Sequence, residues 1–389
     1  MLPPKTAPGS ASARAPRYAA LDAFRFLAVC LMVQGHTVTA LASSDVTSAP
    51  WFAAHRFVHG FTAPMFLFGA GLAFALTTIP RYAEHSVWGP RTRARVWRYG
   101  AMLAIGYAMH LPLTPLRELL DADRATLGRV FQVDALQLIA TSMLALVGVS
   151  LVLPKASAFV AAAAALAAAV VFAGPFVWRA ELPAQLPPWI AAYLSPADGS
   201  PFPSIPWSAY VFAGVVAGAF IERFVRYGGR RGAGALLGVG PALACLGAAL
   251  LALKLPVFGE HDTWVNDPFR FLFRVGVLLS VLAALGAALG VVLGGRRSRF
   301  VETVSQESLV VYVAHLLALY GTPVSPGFVH SYAGALSMGA CLFVAAVTFL
   351  VSAAAAHAWH RIRTRHPLGF RALRWTVAAV LVLGVLSRW

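Results

Sequence analysis

The side chains of this sequence best suited to chemistry are three histidines, His36, His55 and His59, preceded by Asp22 and Arg25. Imidazole accepts and returns protons near neutral pH and can act as a nucleophile, so the set fits general acid–base or covalent catalysis. Arg25 and His36 are eleven residues apart. On a helix that is about 16 Å along the axis and roughly 20° from a whole number of turns, so both share one face. His55 and His59, four apart, stack on one side of any helix that includes both. Asp22 and Arg25, three apart, can pair. Each feature also has a plainer reading. A histidine near an interface can cap a helix or bond to backbone, and an acid beside a base can do no more than neutralise it. Two histidines four apart make half of a metal site, but no nearby Cys, Asp or Glu supplies a third ligand, so no metal is expected.

The elements that must hold these groups are apolar helices. The 389 residues are 59% hydrophobic and only 12% charged, with a mean hydropathy of +0.71. Soluble domains carry roughly 25% charged residues. The fold class is therefore all-α: a polytopic integral membrane helical bundle. Apolar stretches of about 17–25 residues fall at 19–41, 57–79, 96–113, 133–153, 157–177, 205–222, 233–254, 270–294, 306–323, 334–357 and 373–388, which gives about eleven transmembrane helices. A charge at the centre of such a helix costs about 2.5–3.5 kcal/mol unless it is paired or wet, so polar residues there read as functional. In the second stretch Pro64 predicts a kink, and Gly69 and Gly71 predict close helix contact.

The net charge of +16, from 31 Lys and Arg against 15 Asp and Glu, does not indicate a nucleic-acid partner, because the bases sit in short clusters between apolar runs. Lys5, Arg14 and Arg17 precede the first span; Arg81, Arg91, Arg93 and Arg95 follow the second, Arg223, Arg226, Arg230 and Arg231 the sixth. Arg296, Arg297 and Arg299 follow the eighth, and Arg361, Arg363, Arg365 and Arg371 the tenth. With eleven spans all of these share one side, whereas 255–268 on the other side carries Glu260, Asp262 and Asp267. The preference of bases for the cytoplasm places the N-terminus inside and the C-terminus outside. Residues 1–17 read as a cytoplasmic tail and 18–389 as one membrane domain, with a bacterial inner (plasma) membrane as the expected location. A signal peptide with its apolar core at 26–34 and cleavage near Ala40-Leu41-Ala42 fits poorly with the polar interruptions and the long tail ahead of it. Cys30, Cys245 and Cys341 each fall within apolar runs and suit packing rather than disulfide or redox chemistry.

Further polar residues enter the spans. His110 ends the third, Asp134 and Gln137 open the fourth, a proline-rich approach leads to Trp207 in the sixth, and Glu307, Ser308, Tyr312 and His315 lie on the ninth. Ser308, Tyr312 and His315 follow i, i+4, i+7 spacing and form one stripe, with His315 near mid-membrane. A transporter is the rival reading, using these groups as a substrate or proton path; it would normally show internal repeats and paired broken helices, and neither is evident. A purely structural subunit leaves the histidines without a purpose.

In order along the chain, LDAFRFLAVCLMVQGH, FVHGFTAPMFLFGAG, DALQLIA, IPWSAYVFAGVVAG and ESLVVYVAH resemble the transmembrane acyltransferase superfamily. That grouping includes the heparan-α-glucosaminide N-acetyltransferases with their bacterial relatives, and the acyltransferase family 3 enzymes. The family 3 pattern of Arg or Lys, ten residues and His matches Arg25 and His36, and its second-span pattern matches His59, Pro64 and Gly71. The glucosaminide branch has Asn where this chain has His36, and its second-span histidine points to His55; where it has Asp, this chain has Ala63, Pro64 and Met65. The resemblance implies transfer of an acyl group, above all acetyl, from cytoplasmic acyl-CoA (acetyl-CoA) to a hydroxyl or amine of an extracytoplasmic carbohydrate or glycolipid acceptor. It implies His36, His55 or His59 as general base or transient acyl carrier, aided by Arg25, and it sets Arg25, Tyr312 and His315 beside the donor. The choice between His55 and His59, the acceptor, the acyl chain and the oligomeric state stay open.

Overall fold

The computed structural model describes residues 18–110, 119–180, 182–227, 229–291, 298–322, 325–366 and 369. The expected tail at 1–17, the expected last span at 373–388, and Arg296, Arg297 and Arg371 lie outside the described residues. The chain folds into α1 (Ala19–Leu41), α2 (Phe52–His59), α3 (Thr62–Thr78), α4 (Pro90–His110), α5 (Arg124–Phe131), α6 (Ala135–Val152) and α7 (Ala156–Arg179). It continues with α8 (Ser204–Tyr227), α9 (Gly229–Ala252), α10 (Pro268–Val291), α11 (Arg299–Gln306), α12 (Ser308–Tyr320) and α13 (Met338–Arg365). Shorter helices and a two-residue antiparallel pair, Gly321–Thr322 with Ser325–Pro326, join them.

Among the described residues seven helical runs are long and apolar enough to cross a membrane: Ala19–Leu41, Phe52–His85, Ala135–Val152, Ala156–Arg179, Ser204–Phe224, Pro268–Leu289 and Met338–Arg365. Leu237–Ala252 and Ser308–Tyr320 are shorter apolar helices. The protein is thus an integral, multi-pass, all-α membrane protein. α4 occupies the place of the expected third span, but Arg91, Arg93, Arg95 and Arg98 crowd its first half and make it too polar for that set.

α1 is the hub of the bundle, in contact with α3, α10, α11, α12 and α13. Phe24 and Ala28 face the larger core, where the Phe24 and Phe68 rings lie 6.2 Å apart. Val29, Met32 and Val33 face a second core with Val304, Val311, Tyr312, Ala353 and Ala356. α3 and α8 pack backbone to backbone: a Cβ on Gly71 would strike the Val211 carbonyl and one on Gly214 the Phe68 carbonyl. Only glycine allows that approach, and in lipid such close van der Waals contact replaces the missing hydrophobic drive.

Three interruptions of helix matter for the site. The expected kink at Pro64 is instead a break at Gly60–Phe61, between α2 and α3. Pro64 sits in the first turn of α3, where a backbone N–H has no intrahelical partner to lose. The expected span 306–323 is likewise divided at Glu307, between α11 and α12. The third break lies at 132–134, where Asp134 caps α6 by accepting the Ala135 N–H at 2.6 Å. Helix ends expose backbone polar groups, and within a membrane these are tolerated only inside protein or beside a wet cavity.

Candidate active site

All three breaks border one cavity of about 1970 Å³. Its walls come from α1, α3, α4, α6, α8, α10, α12 and α13, from the end of α2 and from the loop before α10. At the end where α1 begins, Arg93, Arg98 and Trp97 of α4, Trp359 and Arg363 of α13, and Glu307 form a basic and aromatic mouth. At the end where α1 finishes, His36, Thr39, His59, Gly60, Thr62 and Trp264 line it. A single-ligand pocket is typically roughly 300–1,000 Å³, so this volume has room for two substrates end to end.

The partner of the His36 ring is a residue far away in sequence. Its Nδ1 lies 2.9 Å from Nε2 of His315, and the two rings stack with centroids 5.1 Å apart and planes 22° from parallel. His315 is completely buried, and its other nitrogen, Nδ1, is 2.9 Å from the Val311 carbonyl. A carbonyl only accepts, so His315 Nδ1 carries the proton and donates. In a neutral imidazole the second nitrogen then accepts. His36 Nδ1 must therefore donate to His315 Nε2, which leaves a lone pair on His36 Nε2, a group on the cavity wall. His315 itself does not line the cavity; it touches His36 instead of the open space.

The second histidine pair has one member in the cavity and one behind it. His55 and His59 rings lie 4.2 Å apart, and His59 lines the cavity whereas His55 does not. Gln34 Nε2 lies 3.1 Å from His55 Nε2, and the Phe52 ring stacks on His55 at 4.9 Å. Gly35 leaves the space that His59 occupies, since a Cβ there would meet His59 Nδ1. His110 lies near Asp134, at 3.7 Å, with Gln132 Nε2 2.6 Å from its Nδ1.

Toward the basic mouth, Asp22 acts electrostatically on Arg25, and each also meets a serine. Arg25 Nη2 donates to Ser308 Oγ at 3.2 Å, and Ser305 Oγ donates to Asp22 Oδ1 at 3.2 Å, so both charges are tied to the α11–α12 junction. Beside them Glu307, 4% exposed, accepts from Arg363 Nη2 at 2.5 Å and lies 2.9 Å from His360 Nδ1. Tyr312 lines the cavity and donates to Asp134 Oδ2 at 3.0 Å. Among the described residues no three His, Cys, Asp or Glu side chains are gathered as metal ligands.

Comparison with known families decides the class. The profile for the catalytic region of heparan-alpha-glucosaminide N-acetyltransferase matches residues 17–253, more than half of the chain. The chain belongs to the heparan-alpha-glucosaminide N-acetyltransferase catalytic family. Membership implies a membrane acetyltransferase. Comparison with curated individual proteins finds no match. The family-matched segment covers α1–α9 and so holds Arg25, His36, His55, His59, Arg93, Arg98 and Asp134. The cavity is closed by α10–α13, beyond that segment, which add Arg274, Glu307, Ser308, Tyr312 and Arg363 to its wall.

Sequence reading did not single out Arg98, Trp264, Arg274 or Trp359, all of which line the cavity. Arg274 carried a usable signal: with Arg270 it is one of two arginines four apart at the start of an apolar helix, and an arginine in such a place is a functional candidate by default.

Proposed function

We propose that acetyl-CoA enters the basic mouth from the cytoplasm and that its acetyl group passes to a hydroxyl or amine of a carbohydrate acceptor held at the histidine end, on the outer side. The observation that carries this reading is the continuity of one cavity from Arg93, Arg98 and Arg363 to His36 and His59. Guanidinium groups suit the donor's phosphates through charge-assisted hydrogen bonds. Arg93 and Arg98 have no carboxylate partner among the described residues, and the exposed indole of Trp97 offers a stacking surface.

In this mechanism His36 Nε2 removes the proton from the acceptor hydroxyl or amine as its oxygen or nitrogen attacks the thioester carbonyl carbon. The carbon–sulfur bond then breaks, and the His36 imidazolium returns the proton to the departing thiolate. His315 acts through His36, holding the Nδ1 proton so that Nε2 is the free base. His59 shares the acceptor end, and a transient acetyl-imidazole on one of the two rings is the covalent variant. Arg25 lies on the same face of α1, nearer the mouth, and helps hold the donor.

Purified protein incubated with acetyl-CoA labelled in the acetyl group tests the scheme. Label is expected to move to a carbohydrate acceptor with release of CoA, and His36→Ala is expected to abolish transfer while expression is retained. Full activity in His36→Ala would remove His36 from the mechanism. Label trapped on the protein and lost on His59→Ala would select the covalent route. Arg25→Ala is expected to raise the KM for acetyl-CoA; unchanged donor kinetics would leave Arg25 a structural anchor for Ser308.

A further inference from the structure

The carboxylate that opens α6 has no part in the acetyl-transfer chemistry assigned above to the histidines. That chemistry puts a proton on His36 Nε2 before the departing thiolate takes it, and for that interval the His36–His315 pair carries a positive charge inside the membrane. His315 cannot pass the charge on, because its Nδ1 already donates to the Val311 carbonyl at 2.9 Å and its ring is completely buried. A buried cation without a counter-charge is strongly disfavoured. Among the described residues two carboxylates line the cavity, Glu307 and Asp134. Glu307 stands at the mouth and is matched there by Arg363. Asp134 forms no ion pair with a lysine or arginine among the described residues.

The surroundings of Asp134 suit a carboxylate that keeps its charge. Oδ1 accepts the Ala135 N–H at 2.6 Å, and Oδ2 accepts the Tyr312 hydroxyl at 3.0 Å. Gln132 Nε2 lies 2.6 Å from His110 Nδ1. An amide NH₂ only donates, so that ring nitrogen accepts and the His110 proton sits on Nε2, 3.7 Å from Asp134 Oδ2. All three neighbours present a hydrogen to the carboxylate, as an acceptor-only group requires. Tyr312 also reaches the histidine pair: its ring lies 5.7 Å from that of His315, at 75°, and His315 Nε2 is 2.9 Å from His36 Nδ1. Tyr312 and His315, three apart on α12, thus tie the carboxylate to the ring that takes the proton. The Asp134 charge itself acts electrostatically on His36.

We propose that Asp134 is the counter-charge of the His36 imidazolium and that Tyr312 holds the carboxylate in place for it. Asp134 takes no proton. The proton moves from the acceptor to His36 Nε2 and on to the departing sulfur, and between those two transfers the fixed negative charge lowers the free energy of the cationic ring. Asp134 is therefore a positioning residue that acts through His36. Its part in turnover rests on the acetyl-transfer reading; the pairing of its charge with a cation at position 36 does not.

Kinetics of the full-length protein in nanodiscs, with acetyl-CoA as donor and glucosamine as the probe acceptor, test the part in turnover. Asp134→Asn keeps an oxygen for the Ala135 N–H and removes the charge. It is expected to lower kcat by about tenfold or more, the weight of one nearby opposite charge, with the KM for acetyl-CoA nearly constant. Asp134→Glu restores the charge and is expected to recover part of the loss. A residue needed only as a helix cap would show the opposite order, since Asn caps as well as Asp. Wild-type kcat in Asp134→Asn, or a raised KM with kcat unchanged, would overturn the proposal. So would a loss in Asp134→Asn beside full activity in His36→Ala. A second measurement needs no turnover: His36→Lys fixes a permanent cation where the imidazolium forms. The midpoint for heat-induced loss of monodisperse protein is expected to fall further in His36→Lys/Asp134→Asn than in the two single variants summed, because the cation is then left unpaired. Additive midpoints would overturn the charge pairing. A loss beyond additivity in a protein that transfers no acetyl group would leave the pairing standing and refute the catalytic reading alone.

Discussion

Removing the His315 ring would take away the acceptor that keeps the proton on His36 Nδ1. His36 would then sample both tautomers and rotate more freely, although its own ring remains. His315→Ala is therefore expected to lower kcat by about 10²-fold, the usual size of a misdirected general base, with the KM for acetyl-CoA little changed. His315→Gln, which can still present an acceptor oxygen, should recover part of the loss; a donor KM that rises instead would place His315 in donor binding. A second expectation concerns Gly35. The methyl group of Gly35→Ala would land on His59 Nδ1, so the ring must move, and displacement of a working group by about 1 Å can cost roughly 10²-fold. Wild-type turnover in Gly35→Ala would show that His59 is not needed where it stands. The helical period made the shared face of Arg25 and His36 legible from the sequence. The bond from His36 to His315 was not legible, since 279 residues separate them and no local pattern records which distant ring completes a pair.

At the level of elements, the fit of α3 against α8 sets the distance between His59, at the end of α2, and the cavity wall on α8. Gly71→Leu would drive a side chain into the Val211 carbonyl, and overpacking of this kind typically costs about 1–3 kcal/mol. A lower midpoint for heat-induced loss of monodisperse protein is the expected outcome, and Gly148→Leu, where nothing lies within 4 Å of the added carbon, is expected to leave the midpoint in place. Equal midpoints for the two variants would show that this close approach does not limit stability. Gly71 was readable as a contact residue because small residues mark helix interfaces in lipid. The place of the break was not readable. Pro64 drew attention to itself, yet a proline in the first turn breaks no hydrogen bond. The chain opens just ahead of it, at Gly60–Phe61, where His59 gains access to the cavity. The division at Glu307 was hidden for a related reason: hydropathy sums over a window and passes smoothly across a single polar residue that ends one helix and starts another.

For the whole molecule, the large positive charge divides into two kinds. Arg363 is matched by Glu307 and Arg91 by Glu84, so these contribute little net field at the mouth. Arg93 and Arg98, both on α4, line the cavity and have no such match among the described residues. If the mouth holds a polyphosphate donor, the unmatched pair should act on capture and leave the chemistry at His36, toward the other end of the cavity, undisturbed. The double variant Arg93→Ala/Arg98→Ala is accordingly expected to raise the KM for acetyl-CoA by about tenfold or more at low salt, each charge-assisted contact being worth roughly 1.5–3 kcal/mol, with kcat nearly constant. Salt should mimic the variant: raising ionic strength toward about 1 M shrinks the screening length to about 3 Å and should weaken donor binding in the wild type far more than in the double variant. A kcat that falls with KM unchanged would move the two arginines from donor capture to the reacting centre. A KM indifferent to both salt and substitution would mean that the arginines serve only to fix which face of the membrane they occupy, the bland reading of their charge that the sequence also allowed.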